Sequence, residues 1–214
     1  MSSDRPRRGL MLVISGPSGV GKTSLCRRLM ADHADLALSV SMTTRDPRPG
    51  EHEGREYFFI SEAEFTARIA ADAFLEWAQV HGHRSGTPRG PVMQAVAEGR
   101  DVIFDIDYQG ARSIADAAPG DTVRVFILPP SIAEMVRRIH VRAGDSDEMI
   151  RRRLETAKVE FAKWGEYDYV LLNEDFDRTY AELAHIYHAE RLRRHRNPWL
   201  APTVERLLNE PIDH

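Results

Sequence analysis

The chain has 214 residues, of which 42% are hydrophobic and 29% charged, and its formal net charge is −4 at pH 7. This composition is that of an ordinary globular protein, long enough for one α/β domain with inserted subdomains. The small acidic charge gives no support to nucleic acid or a membrane surface as a partner of the whole molecule. No apolar run approaches the ~18 residues of a membrane span.

The N-terminal residues and the single cysteine indicate the compartment. Residues 1–8 carry charge, but no apolar stretch of signal-peptide length follows them, so we expect a disordered tail there. Cys26 is the only cysteine, which excludes an internal disulfide and fits a reducing environment. The cytoplasm is therefore the expected location.

Short apolar runs alternate with helical patterns along most of the chain. Five runs predict strands buried on both faces, at residues 10–15, 38–42, 102–106, 123–128 and 169–172. Helices between them favour a parallel sheet with crossover connections. Helix starts are marked by the capping-box spacing of Ser61 with Glu64 and of Ser131 with Glu134, and by Pro91, which suits a first helical position. A long C-terminal helix is predicted over 177–194.

Two segments interrupt this alternation. Residues 43–60 contain a cluster of turn residues, Pro47, Pro49, Gly50 and Gly54, before an apolar run, and we interpret them as an inserted lobe with its own small sheet. Residues 142–153 pass through Gly144 into a helix that opens with three arginines. This second segment predicts a mobile flap.

The strongest signal is a glycine-rich run between the first predicted strand and a helical pattern. It satisfies G-x-x-x-x-G-K-[ST] with Gly16, Pro17, Ser18, Gly19, Val20, Gly21, Lys22 and Thr23. Glycines let successive backbone N–H groups converge on one anion, and the dipole of the following helix adds positive potential. Lys22 can reach the β- and γ-phosphates of ATP, and the Thr23 hydroxyl can bind Mg²⁺. We therefore predict that this loop, with Ser24, binds ATP.

Acidic and basic side chains elsewhere complete a plausible phosphoryl-transfer site. Asp105 and Asp107 end the strand predicted at 102–106, at the sheet edge where α/β proteins bind ligands, and would hold Mg²⁺ directly or through water. Arg45 and Arg48, held apart by a proline, form a stiff fork suited to a phosphate, and Tyr57 could add a hydroxyl. Taken alone, the arginine segment is equally well interpreted as an ordinary surface loop.

Seven segments together resemble the guanylate kinase family in order and spacing over about residues 9–196. They are the phosphate loop, SVSMTTRDPRPGE, FLEWAQVHG, DIDYQG, FILPPS, RAGDSDEMIRRRL and YDYVLLNEDFD. The resemblance implies Mg²⁺-dependent transfer of a phosphoryl group from ATP to GMP, and to dGMP, in purine nucleotide metabolism. It also implies an α/β P-loop kinase core at 9–36, 91–138 and 165–196, a GMP-binding lobe at 37–90 and a mobile lid at 139–164. An extension follows at 197–214.

The resemblance also implies roles at matching positions. Contacts to the GMP phosphate are expected from Arg45, Arg48 and Tyr57, and contacts to guanine from Ser41, Glu76 and Thr87. Asp107 is expected near the monophosphate and, with Thr23, at the metal. Asn173 is expected beside the adenine of ATP. The transferring phosphoryl group is expected to be neutralised by Lys22, Arg138, Arg142 and Arg153.

The chemistry of guanine agrees with these residue types. A carboxylate such as Glu76 accepts from both N1–H and the N2 amino group, and a hydroxyl donates to O6. Adenine reverses the polarity at positions 1 and 6 and would leave buried groups unpaired. One departure concerns the phosphate of GMP, because Ser85 stands where the family has a tyrosine hydroxyl. Arg84 could compensate, although neighbours on a strand point to opposite faces.

Alternative functions remain at this stage. A guanylate-kinase-like interaction module without catalysis would have a degraded phosphate loop, whereas Gly21, Lys22 and Thr23 are intact. Another nucleoside-monophosphate kinase is disfavoured by Glu76 with Ser41. The arginines at 191–196 form either a nucleic-acid patch or, among glutamates, a solvated helix face. We expect ATP and GMP as partners, with neither nucleic acid nor membrane, and the sequence leaves a homo-oligomer open.

Overall fold

The computed structural model describes residues 5–80, 82–143 and 147–211, except for the side chains of residues 80, 141–143, 147 and 150. The strands are β1 Met11–Ser15, β2 Leu36–Leu38, β3 Ser41–Thr43, β4 Tyr57–Phe59, β5 Phe74–Val80, β6 His83–Pro88, β7 Asp101–Asp105, β8 Thr122–Leu128 and β9 Tyr169–Leu172. The helices are α1 Lys22–Asp32, α2 Glu62–Ala70, α3 Arg89–Ala97, α4 Tyr108–Ala117, α5 Ile132–Ala143, α6 Asp147–Phe161, α7 Phe176–Arg191 and α8 Leu200–Leu208.

The core is a five-stranded parallel sheet with helices on both faces. Its strand order is β2-β7-β1-β8-β9, and every neighbouring pair is parallel. One face packs with α1 and α7 around residues such as Leu12, Leu29 and Tyr187, and the other packs with α3 and α4 around Val13 and Phe104. The predicted α/β class, with a parallel sheet flanked by helices, is confirmed.

A second sheet lies in the segment between α1 and α3. Its order is β4-β3-β6-β5, with β3 and β4 parallel and the other neighbours antiparallel. It packs on α2 through a separate apolar cluster of Met42, Phe65 and Phe74. The sequence predicted a small sheet in this region, and the structure extends it to include both strands of the β5–β6 hairpin.

The strand predicted over 38–42 is wrong as a single element. The run is divided between the two sheets, with Leu36–Leu38 in the core sheet and Ser41–Thr43 in the second sheet. Leu36 is buried in the main core, whereas Met42 is buried in the cluster around Phe65. An apolar run that contributes to two cores looks continuous in sequence, and only packing shows where the chain changes sheet.

Helix starts agree with the capping chemistry. Ser61 accepts from the Glu64 N–H and Ser131 from the Glu134 N–H, each at 3.1 Å, so both predicted caps are confirmed. Pro91 is the third residue of α3 rather than the first, still within the turn whose N–H groups lack helical partners. The C-terminal helix ends at Arg191, earlier than predicted, and the Asn197 amide bonds the carbonyl of that residue at 2.9 Å.

Residues 7 and 8 differ from the disordered tail predicted over 1–8, whose first four residues lie outside the described part. Arg7 donates two 2.7 Å hydrogen bonds to the buried Asp101, and Arg8 pairs with Asp121. Such bidentate pairs are strong, and a buried carboxylate needs a compensating charge. Arg196 is also buried, at 1% exposure, and donates to the Gly9 carbonyl. It therefore belongs neither to a solvated face nor to a surface patch.

The limits of the core, lobe and lid stay predictions. The residues predicted as a lid, 139–164, comprise the end of α5, all of α6 and the start of a short 3₁₀ turn at Trp164–Glu166. The extension at 197–214 contains α8. None of the helices in the described ranges combines the length and apolarity needed to cross a bilayer.

Candidate functional site

The phosphate loop lies between β1 and α1 and depends on three glycines. Gly16, Gly19 and Gly21 have φ of 136°, 85° and 100°, a region that other residues rarely adopt. There is also no room for a side chain at these positions. A Cβ on Gly16 would stand 2.4 Å from the Ile127 carbonyl oxygen. A Cβ on Gly21 would stand 2.5 Å from Nδ2 of Asn173. The loop is therefore seated against β8 and the end of β9.

Lys22 and Thr23 open α1 directly after the loop. Lys22 Nζ donates to the carbonyl oxygens of Gly16 at 2.6 Å and Pro17 at 3.1 Å, so the ammonium curls over its own loop. Thr23 Oγ1 donates to Asp105 Oδ2 at 2.6 Å, which joins the loop to the end of β7. The helix N-terminus adds its N–H groups and dipole to this positive end of the site.

The two acids at the end of β7 have different hydrogen-bond partners. Asp105 contacts Thr23, whereas Asp107 caps α4 by accepting from the Gly110 N–H at 2.9 Å. Both residues line the cleft beside the loop. The structure thus pairs the Thr23 hydroxyl with Asp105 rather than with Asp107, which differs from the metal pair expected from the resemblance. A hydroxyl and one carboxylate beside a phosphate cradle fit Mg²⁺, which typically takes one or two carboxylates, phosphate oxygens and water.

The cleft beside the phosphate loop measures about 520 Å³. Its lining residues are Gly16, Ser18, Gly19, Gly21, Lys22, Thr23, Ser24, Asp105, Ile106, Asp107, Arg138 and Glu160. Most of them were predicted from the sequence, and they come together from the phosphate loop, α1, the end of β7, α5 and α6. Such convergence of loop N–H groups, cations and carboxylates at the carboxyl ends of parallel strands suits a nucleotide triphosphate.

Glu160 is the residue of this cleft that sequence reasoning missed. Burial raises the pKa of its carboxyl, while the charge of Lys22 opposes that rise. It lies seven residues after Arg153 on α6, a spacing that places both on one helix face. That spacing was the available signal, but an acid in a charged helix gives no indication of which neighbour the helix meets.

One of the three predicted catalytic arginines lines this cleft, and a second contacts the phosphate loop. Arg138 lines it, with Nε donating to Glu134 Oε1 at 2.7 Å and Nη2 to the Asn173 carbonyl at 3.4 Å. Arg137 and then Arg138 lower the pKa of Glu134 to about 2, so this carboxylate stays ionised and holds Arg138. Arg153 Nη1 approaches Ser18 Oγ at 3.4 Å. The Arg142 side chain lies outside the described residues.

Asn173 lies beneath the phosphate loop rather than at an open base site. It is 3% exposed, and its Nδ2 donates to the Val20 carbonyl at 2.7 Å. Its expected position beside adenine remains a prediction. What the structure adds is that the amide nitrogen already bonds the loop.

The second sheet brings the predicted guanine contacts together. Glu76 on β5 is paired in register with Thr87 on β6, and Thr87 Oγ1 donates to Glu76 Oε1 at 2.7 Å. Burial raises the pKa of Glu76, the Thr87 hydrogen bond opposes the rise, and the charge of Asp107 adds to it. An adjoining cavity of about 220 Å³ is lined by residues that include Ser41, Tyr57, Thr87 and Asp105. Residues predicted to contact guanine and a residue predicted at the metal therefore line the same cavity.

The predicted phosphate fork is held by an acid. Arg45 Nη2 donates to Glu51 Oε1 at 2.8 Å, and the Arg48 backbone N–H donates to Glu51 Oε2 at 2.8 Å. The Arg45 guanidinium also stands 5.4 Å from the centre of the Tyr57 ring. Arg48 is exposed and is not among the residues described as lining the cavity. Arg45 and Tyr57 are thus brought together, and Arg48 remains at the rim.

Ser85 lies next to Arg84, whose guanidinium is bound to residues of α2. Ser85 Oγ donates to the Met42 carbonyl at 3.3 Å, whereas Arg84 pairs with Glu62 and donates to Thr66 Oγ1 at 2.8 Å. Arg84 therefore serves the β6–α2 contact. It does not stand in for the missing tyrosine hydroxyl.

Comparisons with known proteins agree with this site. The guanylate kinase family model matches residues 8–190. The chain is 59% identical to a guanylate kinase of Caulobacter vibrioides, across 98% of this chain and 99% of that relative, and 53% identical to one of Maricaulis maris, across 95% and 94%. A crystal structure of guanylate kinase from Anaplasma phagocytophilum superposes with a TM-score of 0.76 at 31% identity, covering 96% of this chain and 98% of that one. The chain belongs to the guanylate kinase family.

Proposed function

We propose that this chain is an ATP:GMP phosphotransferase, which converts ATP and GMP to ADP and GDP. The observation that carries the proposal is its 59% identity with a guanylate kinase over almost the whole of both chains. The described residues supply parts that suit such a reaction, namely a phosphate loop beside one cleft and a buried carboxylate, Glu76, bonded to Thr87, which lines the adjoining cavity. The role that follows is in purine nucleotide metabolism.

On the donor side, the loop would bind and align the phosphates of ATP. Backbone N–H groups of the loop and the N-terminus of α1 receive the phosphate oxygens, and Lys22 exchanges its bonds to loop carbonyls for the β- and γ-phosphates. Arg138 and Arg153 would neutralise charge on the moving phosphoryl group, as would Arg142. Preorganised charge of this kind supplies most of the catalysis in phosphoryl transfer.

On the acceptor side, ionised Glu76 would accept from N1–H and the N2 amino group of guanine. Thr87 and Ser41 add hydroxyls, and Arg45, Arg48 and Tyr57 would hold the GMP phosphate. An oxygen of that phosphate attacks the γ-phosphorus of ATP, and the bond to the bridging β,γ-oxygen breaks. At neutral pH the attacking phosphate is already largely ionised, since its second pKa is about 6, so no general base is needed. These contacts address base and phosphate, so dGMP is a second acceptor.

We propose Mg²⁺ as the cofactor, held by Thr23 and Asp105, with Asp107 nearby and able to contribute through water. The Thr23–Asp105 contact at 2.6 Å supports this choice. When bound with ATP, Mg²⁺ neutralises the charge of the β- and γ-phosphates.

We also propose that the lobe at 37–90 and the lid at 139–164 close when both substrates bind. Arg45 pairs with Glu51 and Lys22 with its own loop, so each cation must change partners to reach the phosphate that it is proposed to bind. Small-angle scattering with GMP and a non-hydrolysable ATP analogue should show a smaller radius of gyration. An unchanged radius at demonstrated saturation would contradict closure.

A coupled ADP-release assay with Mg²⁺–ATP and a panel of GMP, dGMP, AMP, CMP and UMP tests the function. We expect rapid ADP formation with GMP and dGMP and little with the other three. Comparable rates with AMP would indicate another nucleoside-monophosphate kinase. A folded protein that binds GMP but never forms ADP would indicate an interaction module.

A further inference from the structure

The phosphate loop rests on three supports, and one of them is a polar side chain. Gly16 faces the backbone of β8, and Gly19 faces α5, where a Cβ would stand 2.9 Å from Cγ1 of Ile139. Gly21 faces the amide of Asn173. Of these three supports, the amide is the one that also donates a hydrogen bond to the loop, at the Val20 carbonyl.

Asn173 is fixed from several directions at the end of β9. Its N–H donates to the Leu128 carbonyl at 2.8 Å, its Nδ2 donates to the Val20 carbonyl at 2.7 Å, and its own carbonyl accepts from Arg138 Nη2 at 3.4 Å. The first bond extends the pairing of β8 and β9, so the residue is anchored to the core sheet. One residue therefore contacts both the phosphate loop and an arginine that lines the same cleft.

The bond to Val20 determines where the next N–H group points. Peptide units are planar, and no cis peptide bond occurs among the described residues, so the Val20 C=O and the Gly21 N–H point in opposite directions. Nδ2 of Asn173 holds the carbonyl on the inner side of the loop. The Gly21 N–H is thereby directed away from Asn173, on the side of the loop where Gly21 lines the cleft.

We propose that Asn173 is a positioning residue of the phosphate loop, which orients the Gly21 N–H toward bound phosphate and ties the loop to Arg138. Asn173 therefore affects binding of the donor's phosphates, irrespective of the base attached to them. This differs from a contact with adenine, which the family resemblance implies for this position. The inference rests on the proposed function only in requiring that the loop binds a triphosphate.

Calorimetric titration of Mg²⁺–ATP and of Mg²⁺–tripolyphosphate, which has no base, separates these roles. Asn173→Asp keeps Oδ1, which a base amino group could still reach, but replaces the Nδ2 donor with an oxygen facing the Val20 carbonyl. We expect the dissociation constants of both ligands to rise by the same factor, about tenfold or more, because a buried acceptor loses its partner. In turnover assays the KM for GMP should stay unchanged.

Thr179→Val is the matched control. Thr179 is buried near the end of β9, and its Oγ1 donates to the carbonyls of Asp175 at 2.8 Å and Leu172 at 3.2 Å, away from the loop. It should lose stability as Asn173→Asp does but keep both dissociation constants within twofold. If Asn173→Asp does not fold, the neutral Asn173→Ser carries the same comparison.

Equal losses for the two ligands in the Asn173 variant, with none in the control, support the inference. A loss confined to ATP would overturn it in favour of a base contact, and so would unchanged binding of both ligands. A parent protein that binds neither ligand would overturn the proposed function itself, and this inference with it.

Discussion

The groups predicted to bind ATP come mainly from the single loop 16–23, whereas the groups predicted to bind GMP come from strands β3 to β6 and the turn around Arg48. The loop is set by backbone geometry and by buried supports such as Ile127 and Asn173. The acceptor residues are set by strand register and by ion pairs such as Arg45 with Glu51. Partly exposed pairs of this kind are worth little individually, so their partners can be exchanged when substrate binds.

This difference in construction indicates how readily the residues of the phosphate loop and those of the lobe can be substituted. A rigid loop binds a group common to all nucleotides and tolerates little variation in its residues. A lobe built from many side chains can alter its base or phosphate contacts one at a time, as Ser85 illustrates. Substitutions on the two sides should therefore affect different kinetic constants.

The largest expected effect is on the acceptor side, at Glu76. Glu76→Gln should cost up to about 3–6 kcal/mol in kcat/KM for GMP, because two hydrogen bonds to an ionised acceptor are worth ~1.5–3 kcal/mol each. That loss corresponds to roughly 150- to 25,000-fold, with binding of ATP little changed. Glu64→Gln, which removes an exposed acid of the same lobe that pairs with Arg68, is the control. An unaltered GMP-over-AMP ratio in Glu76→Gln would refute the assignment of Glu76 as the guanine reader.

On the donor side, Lys22→Ala should lower kcat by about 10²- to 10³-fold, the scale of losing one preorganised charge contact. The effect should be the same for GMP and dGMP, because Lys22 acts on the phosphoryl group that both receive. Lys163→Ala removes a surface lysine paired with Glu166 and should be neutral. Turnover of Lys22→Ala within threefold of the parent would speak against catalysis by this loop.

Ser85→Tyr should strengthen binding of GMP without changing binding of ATP. A restored phenol adds one hydrogen bond to a charged phosphate, about 1.5–3 kcal/mol, or roughly a 10- to 150-fold lower KM for GMP. The gain should appear in KM rather than kcat, because the contact forms in both ground and transition states. Arg84→Gln is the control, since Arg84 is bound to Glu62. A KM for GMP that is unchanged or higher in Ser85→Tyr would show that this strand is adapted to serine.

The smallest expected effect is on stability. Burial raises the pKa of Glu76 in the folded chain, so the ionised carboxylate is less favourable there than in the unfolded chain. Its contribution to stability is complete below the unfolded pKa and is lost as pH rises through the raised folded pKa. Without nucleotide, Glu76→Gln should therefore raise Tm at pH 7, and the gain should shrink at pH 4. Thermal unfolding at pH 7 and pH 4 checks this, and a gain that is as large at pH 4 would contradict it.

The sequence by itself determined the parts whose geometry is local. A glycine-rich loop after a strand and before a helix has one common structure, so residues 16–23 predicted both the loop and its ligand class. Apolar runs buried on both faces predicted the parallel sheet, and serine with glutamate three residues later predicted the starts of α2 and α5. Chain order and spacing of the motifs indicated the family.

Only the tertiary structure decided which distant residues meet. Thr23 contacts Asp105, 82 residues later in the sequence, and Asn173 contacts Val20, 153 residues earlier. The hydrophobic pattern around each residue predicts its own helix or strand but does not predict these long-range contacts. The same holds for Glu160 in the cleft, for Arg84 turned toward α2, and for the division of the run at 38–42 between two cores. Residue type limits the chemistry of a side chain, but its partner depends on how whole elements pack, and the packing is set by the combined burial of many residues rather than by any single segment.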